Sequence, residues 1–261
     1  MVVLKSVKAF QKYRAFLKKN ASKKTASKKN VGFVPTMGAL HEGHLQLVRK
    51  SRSQCAHTIV SIFVNPTQFN NPEDFAKYPQ TLKEDLKLLK EAGVSAVFLP
   101  NQKMMYPDGF RFQVTEKTES KVLCGAHRPG HFEGVLTVVL KLLNLTQPDK
   151  AFFGEKDFQQ LKLIRDMAQA FFLKCKIVPV KTVREKSGLA MSSRNRRLNE
   201  QAQERALLIS KLLKNKKLSV SQIQKQLTQA GMQVDYVEDQ WKRRFVAAHL
   251  EGVRLIDNMP L

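Results

Sequence analysis

Two histidines three residues apart, His41 and His44, flank a glycine in the stretch PTMGALHEGHLQLV. They follow the apolar run VGFVP and open a segment, His44 to about Gln54, that reads as a helix. Side chains three apart share a helix face, so both imidazoles can point one way from a first turn. Gly38 and Gly43 allow close backbone approach to a ligand. The amides at a helix start, with the positive end of its dipole, suit a phosphate. An imidazole there can donate a hydrogen bond to a phosphoryl oxygen as charge builds. Zinc fits less well, because Glu42 faces elsewhere and no third ligand is near in sequence. The bland alternative is a pair of surface histidines in a loop.

Other groups suit the same chemistry. GEKD supplies Gly154, Lys156 as a point charge for a phosphate, and Asp157 for a ribose hydroxyl. MSSR supplies Ser192, Ser193 and Arg194 in a long loop that could close over a polyphosphate, hinged at Gly188. Gln68 and Gln160 offer neutral bidentate hydrogen bonding to a small hydroxy acid. Glu84 and Asp85 sit near a helix start. They could approach a nucleotide's magnesium or offset the helix dipole, and the dipole reading is preferred. Arg128 and His131, in HRPGHFEG, could bind an anion, or Arg128 could pair with an acid across an interface. Each group alone also reads as an exposed turn, a linker or a surface side chain.

What gathers them is the order of elements. Short apolar runs (VGFVPT, TIVSIFVN, SAVFLP, KAFFG, KIVPV) alternate with helical patterns. Such βαβα order predicts an α/β fold, a doubly wound parallel sheet with helices on both faces. The histidine stretch, NPTQF, GEKDFQQ and the MSSR loop each come just after a strand, so a parallel sheet would bring them to one edge. Near Lys181 the pattern changes. A loop, two helices (Glu200 to about Lys214, Ser219 to Ala230) and three strands (VDYVE, FVAAHL, VRLIDN) predict a small α+β unit. The expected division is therefore 1–181 and 182–261.

Length and composition, 261 residues with 43% hydrophobic and 26% charged, fit a globular chain with a sizeable core. No apolar run is long enough to span a bilayer, and the N-terminus does not read as a secretory signal. Cys55, Cys124 and Cys175 form no C-x-x-C pair and read as packing residues in a reducing compartment, the cytoplasm. The net charge of +23 favours anionic partners. Yet the densest basic run, Lys18 to Asn30, carries no aromatic for base stacking and reads as a solvated helix end and loop. Two other classes remain open on the residues alone. One is a nucleic-acid-binding protein, set by the charge. The other is a different adenylyltransferase, which would use HEGH but would not need the glutamines.

PTMGALHEGH, SIFVNPTQF, YPQTLKEDL, HRPGHFEGV, QPDKAFFGEKDFQQLKLIRDM and GLAMSSRN, in that order, closely resemble the pantothenate synthetase (pantoate–β-alanine ligase) family, and RLIDN near the C-terminus also matches. The resemblance implies a Rossmann-like nucleotidyltransferase domain and a small C-terminal lid. It implies a homodimer that condenses pantoate with β-alanine through pantoyl adenylate, releasing pyrophosphate and AMP. ATP enters with Mg2+ as substrate, and no tightly bound organic cofactor is expected. Carried over by position, Met37, Gly38, Ala39, Leu40, His41, Glu42, Gly43 and His44 form the nucleotide turn. Gly154, Glu155, Lys156 and Asp157 hold ribose and phosphate, Val183 lies by the adenine, and Met191, Ser192, Ser193 and Arg194 close over ATP. Gln68 and Gln160 hold pantoate, with Gln68 also near β-alanine. The family labels His44 a proton donor; we read it mainly as a donor to the triphosphate in the transition state, assisted by His41. Two features depart from the pattern: the chain between VDYVE and FVAAHL is short, and the charge is unusually positive.

Overall fold

The computed structural model describes residues 1–21 and 30–261, so most of the Lys-rich run lies outside the described residues. Six strands, β1 (Val2–Leu4), β2 (Val31–Thr36), β3 (His57–Ile62), β4 (Ala96–Phe98), β5 (Lys150–Gly154) and β6 (Lys176–Val180), form one sheet in the order β1-β4-β3-β2-β5-β6. Every neighbouring pair is parallel. The strands are near-continuous apolar runs because helices cover both faces. Successive residues sort strictly by side. Phe33, Ile59, Phe98 and Phe153 enter one core, with helices α1 (Val7–Ala21), α7 (His131–Thr146) and α8 (Phe158–Ala170). Val34, Val60, Val97 and Phe152 enter the other, with α2 (Glu42–Gln54) and α4 (Leu82–Glu91). The short helices α3 (Pro72–Ala76), α5 (Gln102–Met105) and α6 (Cys124–His127) lie in the connections. As its composition predicts, α7 is apolar nearly all round and packs against the sheet side, α1 and α8 at once.

The chain steps outward from β2 through β3 to β4, then returns past β2 to β5, so β2 and β5 flank the switch point. There the sheet opens. β2 pairs with β3 along its whole length, from Val31↔His57 to Thr36↔Ile62, but with β5 only at Gly32↔Lys150 and Phe33↔Ala151. Over Val34–Thr36 the two strands part, and Pro35 has no amide hydrogen to extend a ladder. The crevice lies beyond the carboxyl ends, where doubly wound sheets hold ligands.

After β6 come α9 (Glu200–Lys214), α10 (Val220–Gln229) and an antiparallel sheet of β7 (Gln233–Gln240), β8 (Arg243–Leu250) and β9 (Val253–Pro260). The shortness noted in the sequence is a tight turn: Trp241 and Lys242, both left-handed at φ 49° and 57°, link β7 to β8 directly. One face of this sheet packs Val246 and Leu255 against Ile209, Leu213, Ile223 and Leu227 of the two helices. The other face sends Tyr236, Phe245 and Ala247 into the core of the parallel sheet. The small unit is thus seated on the larger one by apolar contact.

Candidate active site

A cavity of about 300 Å3 opens at the switch point. His41, His44, Gln68, Lys156, Gln160 and Arg194, drawn from all the motif-bearing loops, line it together. Met37, Gly43, Gly154, Asp157 and Val183 also face it, as do Met191, Ser192 and Ser193. Gly38, Ala39, Leu40, Glu42 and Glu155 of the expected set do not. Glu42 is exposed and pairs with Arg49, and the others serve through their backbones.

The histidine turn is held from below by Asp85. That side chain is buried, with Oδ2 accepting from the Ala39 amide (3.0 Å) and Oδ1 from the Leu40 amide (2.8 Å) and the Thr81 hydroxyl (3.2 Å). Both carboxylate oxygens are therefore engaged with the turn, which neither the magnesium reading nor the dipole reading of Asp85 anticipated. Glu84 is exposed. Gly38 sits at φ 83°, and a Cβ there would meet Asp85 Oδ2 at 3.0 Å.

His41 is the N-cap of α2. Its Nδ1 accepts from the Gly43 amide (3.1 Å), and His44 Nδ1 accepts from the His41 amide (3.3 Å), a capping box built of two imidazoles whose ring centres lie 4.1 Å apart. Gly43 is required for this fold-back, because a Cβ would stand 2.8 Å from the His41 ring. The box also corrects an expectation. The amides of Gly38, Ala39, Leu40, His41, Gly43 and His44 all have partners within the protein, so the turn offers a phosphate few free backbone donors. Side chains must supply most of the anion site.

With both Nδ1 atoms accepting, each neutral ring carries its proton on Nε2. Burial, then the Lys156 and Arg196 charges, push His41 down to about 4. Burial, then His41, Lys156 and Arg196, push His44 down to about 3. At neutral pH both are donors without charge. The unfolded chain, whose histidines titrate near ~6.5, binds more protons than the native state below that pH. Stability is therefore fully present above pH ~6.5 and falls as the pH drops toward 4. Urea midpoints measured from pH 7 to pH 4 should fall less in His41→Asn, whose amide oxygen can keep the cap, than in the unmodified chain. Equal falls would refute the assignment.

Lys156 lies in a 3-10 turn (Glu155–Asp157) between β5 and α8. Its side chain is 18% exposed, and its ammonium has Asp157 Oδ2 at 4.0 Å. The turn hangs from β9: Asn258 Nδ2 donates to the carbonyls of Glu155 (3.0 Å) and Lys156 (2.9 Å). Asp257, its neighbour, takes a two-point contact from Arg184 (2.6 and 2.9 Å) at the root of the MSSR loop. That loop docks on the histidine turn. Ser193 Oγ donates to the Ala39 carbonyl (3.1 Å) and Arg196 Nη2 to the Leu40 carbonyl (3.1 Å). Ser192 Oγ caps the Arg194 amide at 3.3 Å. Arg194 pairs with Asp74 Oδ2 at 2.8 Å, and Arg197 holds the other oxygen at 2.7 Å. Burial alone would raise the Asp74 carboxyl; the two guanidiniums outweigh it and hold it below the usual range.

On the opposite wall Gln68 is fixed at side chain and backbone. Asn65 Nδ2 donates to Oε1 (3.1 Å), while the Gln68 carbonyl accepts from Arg128 Nη2 (3.1 Å) and His131 Nδ1 (2.8 Å). Arg128 and His131 thus brace the Gln68 turn and also line the cavity. Burial, then Arg128, push His131 well down, consistent with a neutral ring. In FQQ the two glutamines divide the work. Gln159 is buried and ties Cys124 N, Glu119 O and Val122 O together, while Gln160 faces the cavity. The sequence reading missed Asn65, Asp74, Arg196 and Asn258. Asn65 stands in the quoted NPTQF and Asn258 ends the quoted RLIDN, but nothing in spacing distinguishes Asp74 or Arg196. Among the described residues, no three His, Cys, Asp or Glu side chains gather to hold a metal ion.

Fold and crevice together define a doubly wound α/β protein of the nucleotide-handling class. The family model for pantoate–β-alanine ligase matches residues 5–260. A pantothenate synthetase of Bdellovibrio bacteriovorus is 53% identical over 231 residues, covering 88% of this chain and 92% of its own. One from Coxiella burnetii is 47% identical over 238 residues, covering 91% and 92%. The crystal structure of a Francisella tularensis pantoate–β-alanine ligase complexed with β,γ-ATP and β-alanine superposes with a TM-score of 0.91 at 39% identity, over 100% of this chain and 97% of that one. Pantothenate synthetase from Thermus thermophilus gives 0.86 at 36%, over 100% and 99%. The chain belongs to the pantoate–β-alanine ligase family, the pantothenate synthetases, and is a ligase of pantothenate biosynthesis.

Proposed function

We propose that the chain condenses pantoate with β-alanine in two steps at this single cavity, by way of pantoyl adenylate. A carboxylate oxygen of pantoate attacks the α-phosphorus of ATP; the bond from that phosphorus to the bridging oxygen breaks, and pyrophosphate leaves. The amine of β-alanine then attacks the acyl carbon, loses a proton and expels AMP. The observation that carries the reading is the meeting of the His44 imidazole, the Lys156 ammonium and the two pocket glutamines in one enclosure.

Attack by an anion on a polyanion demands neutralisation and alignment more than a strong nucleophile. Lys156 supplies charge at the phosphates. The Nε2–H of His44 donates as negative charge develops, and His41 assists from the same face. Arg194 exchanges Asp74 for phosphate oxygens when ATP enters. Asp157 and Gly154 take the ribose, Val183 and Met191 flank the base, and Gln68 and Gln160 orient pantoate, with Gln68 also beside the β-alanine amine. The anchors from Ser193 and Arg196 to the histidine turn keep water from the acyl adenylate. Magnesium arrives on the triphosphate as part of the substrate and offsets its charge. We read 182–261 as the lid, and the protein as a cytoplasmic homodimer.

Pyrophosphate release with ATP and pantoate, with and without β-alanine, tests this. Without β-alanine, about one equivalent per site should appear, dependent on pantoate. AMP should be freed only when β-alanine is added. Pyrophosphate release that needs β-alanine, or none of it with pantoate, would defeat the two-step scheme.

A further inference from the structure

Lys156 has few restraints of its own. Among the described residues its ammonium makes one ionic contact, at 4.0 Å, so its place depends on the backbone beneath it. Among the described residues no side-chain cap fastens that backbone: neither Gly154 at the start of the turn nor Asp157 at the start of α8 supplies one. The restraint comes from about a hundred residues away. Asn258 is 2% exposed, and its carboxamide is fully used. Nδ2 gives one hydrogen to the Glu155 carbonyl (3.0 Å) and one to the Lys156 carbonyl (2.9 Å), and Oδ1 accepts from Arg243 Nε (2.7 Å). Two carbonyls on one side and a guanidinium on the other leave a single orientation for the amide. Arg243 is itself pinned, its guanidinium lying over the ring of Phe158, the first residue of α8, 4.5 Å from the ring centre. Arg243 and Asn258 are diagonal neighbours on adjacent strands β8 and β9, where Arg243 is paired with Pro260 and Asn258 with Phe245.

We infer that Asn258, oriented by Arg243, is a positioning residue for Lys156: it suspends the Glu155–Asp157 turn from the C-terminal sheet and sets where the ammonium meets the phosphates. The inference rests on the reading of Lys156 given above. It makes the small antiparallel sheet a fixed support for the nucleotide wall, in addition to any lid movement. Asp257 does the same for the MSSR loop through Arg184, so adjacent residues of one strand hold both sides of the crevice.

The test is a double-mutant cycle on single-turnover pyrophosphate release with ATP and pantoate. A displacement of about 1 Å is enough to reduce a rate by ~10²-fold. Asn258→Ala should therefore slow release by about 10- to 100-fold. In a Lys156→Ala background the same change should alter the rate by less than about twofold, because its effect passes through the lysine. Asn258→Asp keeps the shape and the Arg243 contact but turns acceptors toward two carbonyls; it should be slower than Asn258→Ala. Arg243→Met leaves Asn258 intact and removes the orienting donor, and it should show the same dependence on Lys156 if the Asn258 variants fold poorly. Equal losses in both backgrounds, or an unchanged rate in a folded Asn258→Ala protein, would overturn the inference while leaving the reaction reading standing. A Lys156→Ala protein as fast as the unmodified chain would instead overturn the reading of Lys156, and this inference with it.

Discussion

Replacing His44 with alanine should slow pantoate-dependent pyrophosphate release by about 10²–10³-fold, the usual loss when one preorganised donor to a developing charge is removed. The argument rests on the tautomer. Because Nδ1 accepts from the His41 amide, the ring is committed to presenting Nε2–H, and its depressed pKa of about 3 keeps it neutral through the working range. The same Nδ1 contact means that alanine also removes part of a helix cap, a stability loss of about 1 kcal/mol. Two further variants separate the roles. The amide oxygen of His44→Asn can occupy the Nδ1 position and keep the cap, but no donor reaches the Nε2 position. His44→Gln can reach it. Asparagine should retain the melting temperature and lose the rate; glutamine should retain more of the rate than asparagine. A His44→Ala enzyme that releases pyrophosphate at nearly the normal rate would count decisively against this role.

The sequence made the framework legible because the framework is periodic. Phe33 and Val34, or Ile59 and Val60, alternate between two cores, and near-continuous apolar runs of that kind exist only when both faces are covered. The convergence of the loops after β2, β3, β5 and β6 followed from the parallel topology, and one cavity does collect His44, Gln68, Lys156 and Arg194. What could not be read was second-rank support. Asp74, Asp85 and Asn258 act on backbone amides, carbonyls or another residue's guanidinium, through contacts spanning from about 45 to 120 positions. No local spacing encodes such partners. The glutamine pair shows the limit most plainly. Gln159 and Gln160 are adjacent and identical in type, yet one is a buried strut and the other faces the cavity, and only the helix phase of α8 decides between them. The short C-terminal unit was also visible as a length, but its cause, two left-handed residues at Trp241 and Lys242, lies in a turn without glycine.

Asp85→Ala should lower stability by about 3–4 kcal/mol and the melting temperature by about 10 °C, since ~1 kcal/mol shifts a chain of roughly this size by ~2–4 °C. The amides of Ala39 and Leu40 belong to residues that are 0% and 1% exposed, so water cannot readily replace the carboxylate, and each orphaned donor carries a penalty of about 1–3 kcal/mol. The consequence reaches the chemistry. Gly38 and Ala39 hold positive φ of 83° and 48° against Asp85, and the carbonyls of Ala39 and Leu40 are the docking points for Ser193 and Arg196. Once the turn relaxes, the loop bearing Arg194 loses its seat and the imidazoles lose their alignment, so the ligase activity should fall more steeply than stability predicts. Asp85→Asn offers little relief, because its amide nitrogen must face one of two backbone N–H groups. A metal role for Asp85 makes the opposite forecast: the melting temperature of Asp85→Ala would hold steady while its magnesium requirement rose. A thermal scan with and without magnesium therefore decides whether this carboxylate serves the backbone or a cation.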